Sequence, residues 1–171
     1  MNNNKNRILF LTEKLALSPH PEGGFYKETY RSKETINENC LPRAYTGSRD
    51  FATSIYFLLT SDSFSAFHKI NQDEIWHFYE GSPIELHIIS LEGKHKKQII
   101  GPNISKGEVY QLVVPQNHWF ASKVMEPESY ALVGCTVAPG FDFADFTLAE
   151  RSELTAQFPH HEKIITAFTR V

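Results

Sequence analysis

The sequence has few of the features that mark secreted, membrane-spanning or nucleic-acid-binding proteins. Its two cysteines, Cys40 and Cys135, form no Cys-x-x-Cys pair, so we expect free thiols. Seventeen basic residues against twenty acidic ones give a formal net charge of -3, which leaves no positive surplus for nucleic acid or an anionic membrane. No apolar run approaches the roughly 20 residues of a membrane span, and charges interrupt the amino-terminal run. These absences predict a cytoplasmic protein without nucleic-acid or membrane partners.

Motifs of several common enzyme classes are also absent. The chain has no glycine-rich dinucleotide or phosphate loop, no His-Glu-x-x-His motif and no Gly-x-Ser-x-Gly motif. The triplet His160-His161-Glu162 resembles a metal motif, but adjacent histidines on a helix point roughly 100° apart. We interpret it as the solvated start of a surface helix.

Short apolar runs separated by turn residues fill the chain from residue 51 onward. They predict strands at 53–59, 66–70, 75–79, 84–89, 98–100, 109–114, 120–124 and 131–137. The connections are too short for crossover helices, which favours a sandwich, jelly roll or small barrel. Helical spacing predicts a short amino-terminal helix at 5–17, and a capping-box pattern predicts a helix at 147–158.

The sequence predicts a single all-β domain over residues 1–171. We place the barrel core at about 20–140 and a carboxy-terminal helical segment at about 146–170. Ahead of the core, the double glycine Gly23-Gly24 predicts a tight turn that approaches its neighbours closely. A short strand is also predicted near residues 44–46.

His68 and Glu74 are the residues best placed for chemistry. His68 closes one apolar run, a polar turn follows, and Glu74 opens the next run, so a hairpin would put both at the same end. Side-chain alternation places Glu74, Trp76 and Phe78 on one face of the second run. If that face is inward, the interior is an aromatic pocket with one acid and one imidazole.

The spacing of His68, Glu74 and Gly81 resembles the first signature of the cupin superfamily. The stretch GEVYQLVVPQNHWF at 107–120 resembles the second signature. Together with HPEGGFY at 20–26, DEIWHF at 73–78 and QLVVP at 111–115, the chain resembles the cupin-5 branch, a group of unknown function, from about residue 20 to 158. The resemblance implies a double-stranded β-helix barrel (a cupin or jelly-roll barrel) that forms a homodimer.

The chain departs from the general cupin pattern at the metal ligands. Ile70 stands where the second histidine is expected and Phe120 where the last one is, so two of the four usual ligands survive. Catalytic metal sites usually need three protein ligands. We therefore predict no cofactor, with a divalent metal held by His68, Glu74 and His118 as the alternative.

Two functions remain open from the residues. In the first, the barrel binds a small planar or cyclic molecule through Trp76, Phe78 and Trp119, and polar side chains orient it. The polar and mouth residues that we expect to contact this ligand are His68, Glu74, Gln111, Glu22 and Tyr26.

In the second, His68 and Glu74 form a metal-independent acid–base pair in which the carboxylate orients the imidazole. Proton abstraction beside a carbonyl, as in isomerases and epimerases that share the barrel, is the reaction class that fits this pair. The analogy is at the level of the fold.

Overall fold

A computed structural model describes residues 3–170 of the chain. Its α-helices are α1 (Asn3–Lys14), α2 (Arg151–Gln157) and α3 (Glu162–Ala167). The first strands are β1 (Ser18–Pro19), β2 (Phe25–Arg31), β3 (Thr35–Ile36), β4 (Arg49–Asp50), β5 (Thr53–Thr60), β6 (Ser65–Lys69) and β7 (Asp73–Gly81). The remaining strands are β8 (Ile84–Ile89), β9 (His95–Ile100), β10 (Gln111–Val114), β11 (Trp119–Val124), β12 (Tyr130–Ala138) and β13 (Thr147–Leu148). None of the helices described is long and apolar enough to cross a membrane.

Two antiparallel sheets form the body of the protein. The larger sheet has the strand order β1-β2-β5-β12-β7-β10, and the smaller has the order β13-β6-β11-β8-β9. Strands that follow each other in sequence often lie in different sheets, which is the winding of a jelly roll. The all-β prediction is confirmed, and each of the eight predicted strands is present with its bounds shifted by at most three residues.

Apolar side chains that alternate along the strands fill the space between the two sheets. The larger sheet contributes Phe57, Trp76 and Val133, and the smaller sheet contributes Leu86 and Phe120. These side chains are almost completely buried, and their burial is the main stabilising contribution to the barrel.

The helices cover the outer faces of the sheets. Helix α1 packs Leu11 against Leu58 and Leu132 on the larger sheet. Helices α2 and α3 cover the smaller sheet, where Phe67 packs among apolar side chains that include Ile165. The predicted amino-terminal and carboxy-terminal helices are thereby confirmed.

Three local predictions are wrong. Residues 147 and 148 start no helix: they form β13, which pairs with β6, because sheet hydrogen bonds outweigh the local capping pattern. The strand predicted at 44–46 is absent, and β4 pairs with β3 instead. Strands β6 and β7 form no hairpin, because residues 70–72 cross from the smaller sheet to the larger one.

Candidate functional site

A cavity of about 490 Å³ opens at one end of the barrel, against the inner face of the larger sheet. Strands β2, β5, β7 and β12 supply one wall, and residues 141–146 supply a second, aromatic one. Its lining residues are His20, Glu22, Tyr26, Glu28, Arg31, Thr53, Ile55, Phe57, His68, Ile70, Glu74, Cys135, Val137, Phe141, Asp142, Phe143 and Phe146. The cavity thus joins aromatic walls to a small group of ionisable side chains.

A buried ion pair between Glu22 and His68 lies at the inner end of the cavity. The Nε2 atom of His68 is 3.0 Å from Oε2 of Glu22, and the hydroxyl of Ser65 donates to Oε1 at 2.8 Å. The other ring nitrogen, Nδ1, lies 2.7 Å from the carbonyl oxygen of Ala66. Because a carbonyl only accepts, Nδ1 must carry a hydrogen, and Nε2 is left to face the carboxylate.

The two partners stabilise each other's charged forms. Burial alone would raise the pKa of Glu22, but the charge and hydrogen bond of His68 outweigh it and hold that pKa below its usual value. Burial likewise opposes a charged His68, and the attraction of Glu22 raises its pKa above the usual value. The contact therefore favours a carboxylate on Glu22 and an imidazolium on His68.

Glu74 is a buried carboxyl group whose pKa lies near neutrality. It lies near the start of β7 and points into the cavity. Burial, opposed by His68 and supported by the negative charge of Glu22, raises its pKa to about 7. Cys135 lies next to it, and burial together with Glu74 raises the pKa of this thiol.

His20 contributes a second, neutral imidazole. Its Nδ1 atom accepts a hydrogen bond from the backbone N–H of Glu22 at 3.4 Å, so the neutral ring carries its hydrogen on Nε2. Burial lowers the pKa of His20, with His68 acting in the same direction and Glu22 against it. Among residues 3–170 no group hydrogen-bonds to Nε2, so this atom remains for a bound molecule.

The turn that carries His20 and Glu22 depends on Gly23. This glycine has φ 117°, and a Cβ atom there would lie 2.2 Å from the carbonyl oxygen of Phe64. The guanidinium of Arg170 donates a hydrogen bond to the carbonyl of Glu22 and so stabilises the turn. The close approach predicted for the double glycine is confirmed here.

Buried polar groups hold the aromatic wall at 141–146 in place. The carboxylate of Asp145 accepts two hydrogen bonds from the guanidinium of Arg49, at 2.8 and 2.7 Å, with the two side chains only 1% and 3% exposed. Gln72 donates to the same carboxylate at 2.7 Å. These contacts fix the backbone from which Phe143 and Phe146 face His20, at ring-centroid distances of 6.2 and 6.0 Å.

Four of the predicted site residues come together in the cavity: His68, Glu74, Glu22 and Tyr26. The carboxylate that holds His68 is Glu22, however, and not Glu74. The crossing of residues 70–72 puts Glu74 on the other sheet, while the Gly23 turn brings Glu22 to the ring.

The other predicted ligand-binding residues lie elsewhere. Trp76 is 1% exposed and packs in the core beside Phe57, and Phe78 packs against the same core. Gln111 is on edge strand β10, where it faces solvent and contacts His77 at 3.1 Å. Trp119 packs with the carboxy-terminal helices, because its face of the smaller sheet points outward.

The sequence also contains signals for residues that we did not predict. His20 stands two positions before the predicted ligand-contact Glu22, on the same glycine turn. Three phenylalanines within six residues, Phe141, Phe143 and Phe146, follow the end of the β region. That density of aromatic residues in an irregular segment is a signal for a pocket wall.

The residues present do not fit a metal ion. Within residues 3–170 no group of three or more histidine, cysteine, aspartate or glutamate side chains is arranged to hold one. Both nitrogens of His68 are engaged, and Ile70 lines the cavity where a ligand would be needed. His118 lies outside the cavity, with its Nδ1 atom 3.0 Å from the carbonyl of Gln116.

Two facing antiparallel sheets with a cavity at one end of the barrel define a protein of the cupin class. The chain belongs to DUF985, a family of the cupin superfamily. The model of this family matches residues 10–149.

Relatives share both sequence and fold. An uncharacterized protein of Saccharomyces cerevisiae is 35% identical over 140 residues, which is 77% of this chain and 69% of the yeast protein. A hypothetical protein from Leishmania major superposes with a TM-score of 0.87 at 32% identity, covering 95% of this chain and 98% of that one. A protein of Shewanella oneidensis gives 0.85 at 33% identity, covering 99% and 98%. The predicted family and barrel are confirmed.

Proposed function

We propose that the barrel binds a small planar or cyclic molecule in this cavity. The observation that carries the proposal is the combination of aromatic walls with converging polar groups. The rings of Tyr26, Phe143 and Phe146 line the cavity, and Glu74 and His20 offer hydrogen-bonding atoms. A volume of about 490 Å³ lies within the range of about 300–1,000 Å³ that is usual for small-molecule sites.

Substitution of Phe143 tests this proposal, because its ring lines the cavity yet is 51% exposed. Phe143→Ala should remove part of the wall at little cost in stability. Phe51 is 48% exposed and lines no part of the cavity, so Phe51→Ala is a matched control.

The measurements are native mass spectrometry of untreated protein and thermal-shift screening with planar heterocycles. We expect Phe143→Ala to weaken binding about tenfold, equivalent to about 1.4 kcal/mol, and Phe51→Ala to leave it unchanged. Equal binding by both variants, or no ligand from either measurement, would contradict the proposal.

A second candidate function is metal-independent acid–base catalysis, favoured by the pKa of about 7 at Glu74. In this mechanism Glu74 transfers the proton and the Glu22–His68 pair positions the site. Once a substrate is found by binding, Glu74→Gln should abolish turnover while binding persists. Retained turnover would exclude the mechanism.

The homodimer and the cytoplasmic location stay predictions. Size-exclusion chromatography with light scattering measures the first, and a monomer at all concentrations would contradict it. Fractionation of cells measures the second.

A further inference from the structure

We infer that the molecule bound in this cavity is a small aromatic nitrogen base that presents a nitrogen-bound hydrogen to Glu74. The inference rests on the binding function proposed above and names the chemical class of the ligand. It follows from which charged groups of the cavity already have partners and which do not.

The first cationic group of the cavity is His68, and both of its ring nitrogens already have partners. Its two ring nitrogens contact Glu22 and the carbonyl of Ala66, and its side chain is only 3% exposed. An anionic ligand could reach this imidazolium only by displacing Glu22. That displacement would leave a buried carboxylate without a partner, which is costly.

The second cation, Arg31, is also occupied. Its Nε and one terminal nitrogen donate to the two carboxylate oxygens of Glu28, at 2.9 and 2.7 Å. The other terminal nitrogen donates to Asp50 at 2.6 Å, and the carbonyl of Phe141 accepts a further bond at 3.2 Å. Arg31 is 42% exposed but already pairs with two carboxylates, so an incoming carboxylate or phosphate would have to compete with both.

Glu74 is in the opposite situation. No basic side chain of residues 3–170 forms an ion pair with it, although Glu22 and Glu28 each have one. His68 acts on it only from beyond ion-pair distance, and the side chains in contact that favour its ionised form, Cys135 and Trp76, are uncharged. Asp142, the fourth carboxylate of the lining, is exposed at the mouth and accepts from the N–H of Ala144 at 2.8 Å. The cavity thus holds more negative than positive charge, and its inner carboxyl lacks a cationic partner.

A ligand with an N–H group or a cationic nitrogen supplies what Glu74 lacks. Contact with such a group favours the ionised carboxylate and removes the cost of its burial. The aromatic rings of Tyr26, Phe143 and Phe146 in the lining suit a planar ring and attract a cation. The Nε2–H of His20 can donate to a second, unprotonated nitrogen or to an oxygen of the same ring system.

Three probes of one size and shape test the inference: benzamidine, benzamide and benzoate. At neutral pH they are a cation, a neutral amide and an anion on the same ring. We expect isothermal titration calorimetry to give affinities in the order benzamidine, benzamide, benzoate, with about tenfold between the first and the last. In Glu74→Gln the advantage of benzamidine over benzamide should disappear.

Proton release provides a readout that is independent of affinity. At about pH 6 Glu74 is mostly protonated, so benzamidine should displace nearly one proton per molecule bound. The proton count is measured by calorimetry in buffers of different ionisation enthalpy. Glu74→Gln should release no proton.

The outcomes separate the two proposals. If benzoate binds as tightly as benzamidine, or if benzamidine releases no proton, the ligand class is wrong and the binding function stands. If none of the three probes binds and planar heterocycles also fail in the thermal-shift screen, the binding function itself is wrong, and the ligand class falls with it.

Discussion

Replacement of Glu74 by glutamine should change the pH dependence of stability, and the direction follows from the site. In the unfolded chain a glutamate loses its proton near its ordinary pKa of 4.5, whereas folded Glu74 keeps it until about pH 7. Between these values folded Glu74 holds more of its proton than the unfolded chain does, so the contribution of this residue to stability falls as the pH rises. Glutamine has no such proton to lose.

The size of the effect follows from the two pKa values. Each pKa unit corresponds to about 1.4 kcal/mol, so the shift from 4.5 to about 7 corresponds to about 3 kcal/mol. The free energy of unfolding of Glu74→Gln, relative to wild type, should therefore increase by about 3 kcal/mol from about pH 4.5 to above pH 7. Above that pH the difference should be constant.

Urea unfolding at about pH 5 and about pH 8, at fixed protein concentration, measures most of this difference, about 2.5 kcal/mol. Glu13→Gln, on the exposed face of α1, controls for the loss of one negative charge. A change in the relative stability of less than about 0.5 kcal/mol between the two pH values would refute the reasoning, because the folded protein would then not hold the extra proton.

Two further predictions concern the scaffold of the site. Asp145→Ala leaves the guanidinium of Arg49 buried without a carboxylate, so guanidinium chloride unfolding should show a loss of about 3–5 kcal/mol, against at most about 0.5 for the exposed Asp62→Ala. Gly23→Ala should lower the free energy of unfolding by about 1–3 kcal/mol more than Gly107→Ala does. Both glycines have positive φ, but a Cβ atom at Gly107 would meet nothing within 4 Å. Equal losses in either comparison would contradict the role assigned to the buried contact.

Local patterns were sufficient wherever the structure depends on alternation and turns. The strand over 84–89 is present at the predicted bounds. Its apolar residues are buried, and turn residues limit the strand at both ends. The helix start predicted at 147–150 is wrong because the same residues can form either a helix cap or a short strand. The hydrogen bonds from β6 decide between them, and these are not visible in a local pattern.

The candidate site divides in the same way. The sequence indicated His68 and Glu74 as polar residues in apolar runs, and Glu22 and Tyr26 as residues beside a glycine turn. It could not indicate that Glu22 pairs with His68, because 46 positions separate them and the Gly23 turn decides the contact. Nor could it distinguish Trp76, which is buried in the core, from Phe143, which is half exposed beside the cavity.

What the sequence determined by itself is the barrel, its family and the presence of an acid and an imidazole inside it. These follow from periodicity, turn residues and motif spacing, all of which are local. Only the tertiary structure decided which carboxyl is paired and which is not. The pairing of Glu22 with His68 leaves Glu74 buried with no ion-pair partner among residues 3–170, and that arrangement depends on how two sheets and one glycine turn meet in space.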